Sequence, residues 1–370
     1  MIYLDNAATT LKKPKVVYDT LYDYTVNHSA NALRGNYAQS LRASNVIVDA
    51  QDSVAGLFNF KNPQNIVFTQ NATHALNVAI LGTLNYGDHA VISQMEHNSV
   101  IRPVASVCDY TVAKADEKGF VSPYRIEKAI KNNTKLIVIT HASNVCGSIQ
   151  DIKTIARIAK KNNIKILIDT AQTAGIIDFD NNEINADFVA FSGHKGLMGP
   201  MGTGGLYIKN PEETKPLICG GTGSESQSVS QPESMPEKFH SGTINTPALA
   251  AMTAGIEYVK NIGVKSIYEH ENMLSEMLRS ELKNMKNVRV YGSENSVGNV
   301  AFNIADKDSG IMAERLKGFA LRAGFHCAPF AHEAIGTAHI GAIRASFGIY
   351  NSKADVKALV DTVNSVACQM

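Results

Sequence analysis

Lys195 stands directly after an apolar run, in Ser192-Gly193-His194-Lys195, and glycines crowd the residues behind it (Gly196, Gly199, Gly202, Gly204, Gly205). Lysine is rarely buried unless it is paired or functional. A buried amine loses its proton more readily and can form a Schiff base; the competing reading is an exposed loop lysine. Asp169 closes a second apolar run and is followed by Thr170-Ala171-Gln172. An acid at the carboxyl end of a parallel strand faces the crevice where α/β proteins bind ligands, and an acid in the same place can simply cap the next helix. Asn71-Ala72-Thr73 lies between a strand pattern and a helix pattern, where free N–H groups and a hydroxyl suit a phosphate or serve only as a cap. His97 ends another strand-like run and could stack on a planar ring or carry protons, although a lone histidine is more often structural. Cys327 sits in Gly324-Phe325-His326-Cys327-Ala328-Pro329, as a loop nucleophile or a small buried hydrophobe. Arg344, in Ile343-Arg344-Ala345-Ser346, suits a carboxylate held by two parallel hydrogen bonds, or else a surface ion pair.

The elements that would position these residues follow a βαβ rhythm. Short β-rich runs at 66–69, 90–93, 136–140, 164–168 and 188–191 alternate with helical patterns at 72–84, 98–107 and 151–161. The continuous apolar run Leu136 to Thr140 predicts a strand covered on both faces, hence a mostly parallel sheet. After about residue 245 the rhythm changes. Long helices are expected near 246–260 and 265–285, strands near 288–291 and 299–304, a helix near 309–323 and a last helix over 353–367. The expected division is a large α/β domain over 15–250 and a small α+β domain over 251–370, joined by the N-terminal 1–14. The stretch 219–236 is polar and loop-like.

Composition excludes several classes. Thirty-five Lys plus Arg balance 34 Asp plus Glu, for a formal charge of +1, which argues against broad electrostatic binding to nucleic acid or anionic membrane. The five cysteines are widely spaced and include no CxxC pair, so neither a zinc site nor a redox dithiol is signalled and a reducing compartment is expected. No run approaches 18 apolar residues and the start lacks a secretory pattern, so a cytoplasmic location is expected. Gly-Lys occurs nowhere, which removes a P-loop; His332-Glu333 is followed by Gly336 rather than the histidine of a zinc protease. Cys327, His332 and His339 lack a fourth metal ligand, so no metal is expected.

The order and spacing of these segments are more specific than any one of them. The chain resembles the class V aminotransferase-like cysteine desulfurases, which are fold-type-I pyridoxal-phosphate enzymes. The resemblance rests on YLDNAATT at 3–10, FTQNATHALN at 68–77, MEHNSV at 95–100, HASNVCG at 141–147, IDTAQ at 168–172, FSGHK at 191–195, SGTINTP at 241–247, RAGFHCAP at 322–329 and IRAS at 343–346. It implies pyridoxal 5'-phosphate bound through Lys195, with Asp169 on the ring nitrogen, Gln172 on the phenolic oxygen and His97 against the ring. Ala72, Thr73, Ser192 and His194 would hold the phosphate. Thr243 would complete that site from the partner in a homodimer. Asn144 and Arg344 would hold the substrate carboxylate, and Cys327 would accept sulfur from L-cysteine. The family's histidine before Arg34-Gly35 is Leu33 here, Phe325 replaces the first histidine of the cysteine loop, and Asn71-Ala72-Thr73 replaces Gly-Thr-Thr. The short cysteine loop looks like the branch linked to sulfur mobilisation and selenocysteine lyase activity. Selenocysteine lyase, cysteine-sulfinate desulfinase and cystine β-lyase are the alternatives on one scaffold; a non-catalytic α/β binding protein is the alternative from another class. A sulfur-acceptor protein is an expected partner.

Overall fold

The computed structural model describes residues 1–32 and 35–370, so Leu33 and Arg34, and the comparison made on them, lie outside the described residues. Among the described residues a seven-stranded sheet forms the centre. Its order is Ile66–Thr69, Gly204–Ile208, Phe188–Ser192, Lys165–Asp169, Thr134–Thr140, His89–Ser93, Asp109–Ala113. Neighbours from Phe188–Ser192 to Asp109–Ala113 run parallel, while Gly204–Ile208 is antiparallel to both strands beside it. The continuous apolar runs are explained by burial on both faces. Ile137, Ile139, Ile166 and Ile168 pack on one side, and Leu136, Val138 and Leu167 pack on the other.

The parallel strands bring Ser93, Thr140, Asp169 and Ser192 to one edge of the sheet. Helices start just beyond that edge and are capped from the sequence that precedes them. Asn71 Oδ1 accepts the His74 N–H at 3.0 Å to open Ala72–Thr83, and His97 Nδ1 accepts the Ser99 N–H at 3.0 Å to open Asn98–Val107.

A four-stranded antiparallel sheet, Arg322–Gly324, Ala342–Ser346, Asn299–Ile304, Val288–Tyr291, packs against the helices Val264–Lys283 and Lys353–Ala367. Leu4 belongs to that core, and Ile2–Tyr3 pairs in parallel with Phe319–Ala320. The helix Thr246–Ile262 instead buries Leu249, Met252 and Ile256 with the large sheet.

Several features depart from the sequence reading, among them the following. The helix expected over 309–323 ends at Arg315, and the two short strands Phe319–Ala320 and Arg322–Gly324 follow. Gly318 marks the break, with a left-handed φ of 93° that a helix cannot accommodate. The strand Gly204–Ile208 lies in the glycine-rich stretch after Lys195, where no element was read. The helices Lys15–Asn27 and Ala38–Phe58 precede the first pattern that was read.

Gly204 shows why glycine is needed in that strand. A Cβ there would meet the Asn71 carbonyl carbon at 2.7 Å, Asn71 Cα at 2.8 Å and Phe191 O at 2.9 Å. All three are backbone atoms, so the sheet itself would have to move. Gly204→Ala is therefore expected to cost about 1–3 kcal/mol in urea unfolding, as overpacking does. Gly220→Ala, whose nearest neighbour would be a side-chain atom at 3.6 Å, is the control and is expected to stay within about 0.5 kcal/mol of wild type.

Candidate active site

The edge of the large sheet opens into a cavity of about 340 Å³. Lys195 reaches it from a tight loop after Phe188–Ser192. The Gly193 N–H donates to Thr203 O at 2.9 Å, the Gly199 N–H to Gly193 O at 2.8 Å and the Met198 N–H to Lys195 O at 3.0 Å. The N-terminal segment grips the same loop from outside. Lys13 Nζ donates to His194 O at 2.7 Å, and Thr10 Oγ1 donates to the carbonyls of His194 and Lys195 at 3.1 and 3.2 Å.

Burial sets the charges in this cavity. It pushes the Lys195 amine down to about 8, against the pull of Asp169 and with the help of the Arg344 and Arg322 guanidiniums. Burial raises the Asp169 carboxyl, while the Ala171 N–H (to Oδ1, 2.8 Å) and Lys195 oppose it. Burial also takes His97 and His194 down to about 4, with Lys195 adding to both, so both imidazoles are neutral at physiological pH. For His97 the hydrogen bonding agrees, because Nδ1 accepts from the Ser99 amide and must carry a lone pair.

Of the residues singled out in the sequence, Ala72, Thr73, His97, Asn144, Asp169, Gln172, Ser192, His194, Lys195, Cys327 and Arg344 all line this cavity. Thr243 does not; it is exposed, away from the cavity of its own chain. Asn144 is already engaged, with Nδ2 donating to His326 O at 2.7 Å and its carbonyl accepting from Arg344 Nη1 at 2.8 Å.

Among the residues of the cavity wall and its rim that were not singled out are Asp5, Arg322, His326 and Ser99. Asp5 takes Arg344 Nη2 on Oδ1 at 2.7 Å and Arg322 Nη2 on Oδ2 at 2.8 Å, so one carboxylate joins two guanidiniums. Arg322 and His326 line the cavity beside Cys327. Ser99 Oγ lies 2.8 Å from His97 Nδ1 and 2.7 Å from Thr73 Oγ1, tying two proposed cofactor contacts together. Asp5, Arg322, His326 and Ser99 all fall inside the quoted motifs, but their partners are distant in sequence or belong to another motif.

The donor set fits a pyridoxal phosphate. Asp169 is a buried carboxylate with a single backbone donor, which suits a protonated ring nitrogen. The Arg344 guanidinium carries five N–H donors, of which Asn144 O and Asp5 Oδ1 take two, so donors remain for a further anion. The first-turn amides of Ala72 and Thr73, beside the Thr73 hydroxyl, suit a phosphate.

The profile of aminotransferase class-V proteins matches residues 2–359. The chain belongs to that family. Class-V aminotransferases are generally pyridoxal-phosphate-dependent. The chain is 36% identical to a probable cysteine desulfurase of Methanothermobacter thermautotrophicus, over 99% of this chain and 94% of that protein. It is 32% identical to a cysteine desulfurase of Haloferax volcanii, over 99% and 89%. Among solved structures, the apo cysteine desulfurase of Thermococcus onnurineus superposes with a TM-score of 0.92 at 30% identity, covering 100% of this chain and 95% of that one. These full-length likenesses make the mixed α/β architecture that of the fold-type-I pyridoxal-phosphate enzymes.

Asp5 supports this class-V site through a nearly buried pair, Arg344 being 3% and Asp5 13% exposed at the side chain. Asp5→Asn leaves Arg344 without its anion, and unfolding in urea is expected to show a loss of about 3 kcal/mol, the usual cost of removing one partner of a buried pair.

Proposed function

We propose that this class-V protein is a cysteine desulfurase that converts L-cysteine to L-alanine and leaves the sulfur on Cys327 as a persulfide. The observation that carries the reading is the presence of Cys327 in one cavity with Lys195, Asp169 and Arg344. Cys327 is exposed at the cavity wall, as a sulfur acceptor must be. The full-length relatives named cysteine desulfurase support the same reading.

Bound pyridoxal phosphate supplies an electron sink that makes the substrate α-proton removable and the Cβ–S bond breakable. Lys195 is the residue to which it attaches. Once released by the incoming substrate amine, the Lys195 amine takes the α-proton. Its lowered pKa, about 8, raises the neutral fraction able to accept a proton near physiological pH far above that of an ordinary lysine. Asp169 holds a proton on the ring nitrogen, and Gln172 donates towards the phenolic oxygen. Neutral His97 covers the ring. Ser192, His194, Thr73 and the Ala72 amide hold the phosphate. Arg344 orients the substrate carboxylate with Asn144. Its Nη1 and Nη2 each give one N–H to Asn144 O and Asp5 Oδ1, and each keeps a second N–H for the ligand.

Cys327 attacks the substrate sulfur as a thiolate. A bond forms between the two sulfurs, the substrate Cβ–S bond breaks, and its electron pair returns to the carbon framework, which takes up protons to become alanine. Cysteine plus thiol gives alanine plus persulfide, so no external oxidant or reductant is required.

A second copy of the chain completes the phosphate site with Thr243. The exposed Tyr18, Tyr22 and Val26 on Lys15–Asn27, with Leu41 and Val48 on Ala38–Phe58, supply an apolar face for that copy. No helix among the described residues is long and apolar enough to cross a membrane. A reducing cytoplasm suits the five free thiols. The persulfide is passed to an acceptor protein.

Incubation with L-cysteine is expected to yield alanine and a persulfide on Cys327; pyruvate and ammonia in place of alanine would contradict the reaction. Cys327→Ala should lose turnover of L-cysteine by about two orders of magnitude or more, as removal of a nucleophile does, and should keep the coloured cofactor. Lys195→Ala should lose the visible absorbance of the bound cofactor. The rate of pyridoxal phosphate uptake by the apo protein should rise as the pH passes about 8 and then level off, because the amine is neutral above that value. A rate still climbing towards pH 10.5, the value of an unperturbed lysine, would contradict the assignment.

A further inference from the structure

The loop that carries Cys327 is held in an unusual conformation. His326 and Cys327 are consecutive residues with left-handed φ angles of 50° and 55°, and neither is a glycine. Such a backbone persists only where its surroundings over-determine it. Part of the hold is visible in the main chain. The Asn98 N–H donates to Cys327 O at 2.7 Å, Asn144 Nδ2 donates to His326 O at 2.7 Å, and the Ala328 N–H donates to Phe325 O at 2.9 Å.

The rest is a string of side chains behind the loop that the chemistry above does not use. His326 Nδ1 lies 3.1 Å from His332 Nε2, and His332 Nδ1 lies 2.7 Å from Thr337 Oγ1. His332 and Thr337 are fully buried and His326 nearly so. The two imidazoles lie parallel within 6°, and the Phe325 ring meets His332 edge-on at 5.4 Å. His332 sits on the short helix Pro329–Ala334, and the Thr337 N–H donates to His332 O at 2.8 Å, so the far end of the string is anchored in its own backbone. A buried polar group that has its partners favours one conformation; both His332 nitrogens have theirs, while His326 Nε2 has none among the described residues. His326 therefore cannot turn without leaving a buried His332 nitrogen unpaired.

We propose that His332 is a positioning residue for the sulfur-accepting thiol: through His326 and Thr337 it locks the loop in the one conformation that holds Cys327 in the cavity wall. The proposal rests on the reading of Cys327 as the sulfur acceptor. It makes the sulfur-transfer step, and not cofactor binding or substrate capture, the step that depends on His332.

The test compares His332→Leu, which removes both ring nitrogens, with His332→Gln, which keeps an amide for His326, and with Thr337→Val. Each is assayed as the cofactor-loaded enzyme for alanine release from L-cysteine, for its visible spectrum, and for deuterium uptake by the amides of 325–328. His332→Leu is expected to lower kcat about 10- to 100-fold, the scale of a small misplacement of a reacting group, with KM and spectrum unchanged and uptake raised. His332→Gln is expected to recover most of the lost rate and protection. Thr337→Val is expected to shift kcat and uptake in the same direction by less, and it decides the matter if His332→Leu does not fold. Wild-type kcat and uptake in the folded variants would overturn the proposal, as would a loss of cofactor absorbance or a rise in KM that matches the fall in kcat. A wild-type protein that makes no alanine from L-cysteine would overturn the desulfurase reading by itself. The exchange measurement would then decide the anchoring alone, with unchanged uptake in His332→Leu counting against it.

Discussion

Asp169 is buried at the end of one strand and Lys195 is half-buried in the loop after its neighbour, and desolvation opposes the charge of each while the other supports it. That balance constrains the surrounding structure. Water must be kept away for the amine to stay near neutrality, yet both groups must remain open to one cavity. A parallel sheet covered on both faces meets the demand, because it supplies rigid, dry walls and delivers side chains to a single edge. The neutral imidazoles of His97 and His194 follow from the same dry walls, since another cation beside Lys195 would add repulsion in a poorly solvated space.

The second constraint is how the small sheet is attached. Arg344 and Cys327 come from the four-stranded part of the molecule, and Lys195 and Asp169 come from the seven-stranded part. The N-terminal segment joins the two. Asp5 binds Arg344 and Arg322, Gln172 donates to Ala7 O at 3.1 Å, and Thr10 and Lys13 donate to the carbonyl of His194. A shift of one part against the other would have to break these bonds, several of them charge-assisted or buried.

Legibility in the sequence followed the range of the interactions. The run Leu136 to Thr140 announced a strand buried on both faces, and Asn98–Val107 was readable to the residue. Both rest on local periodicity. The strand Gly204–Ile208 was hidden because Gly204 answers to the close approach of Asn71 and Gly205 to the Phe191 ring, contacts that no local pattern records. The helix expected to reach 323 was cut by Gly318, whose left-handed backbone outweighs the helical spacing around it. Most of the proposed site residues were legible because they stand at strand ends in recognisable motifs. Asp5 was not, because its partners lie 317 and 339 residues away. Ser99 was missed because its role depends on Thr73, which approaches from another helix.

The position of Asp5 also bears on when the site comes into being. During synthesis the strands that carry Asp169 and Lys195 emerge about halfway along the chain. Arg344 is made 339 residues after Asp5, which must wait for it. Contacts of such long sequence separation form late, because loop closure must precede their reward. A nascent chain therefore carries the lysine and the cysteine of the proposed site before Asp5 can hold Arg344 beside them. The order of assembly leaves the proposed site incomplete until Asp5 has met Arg344.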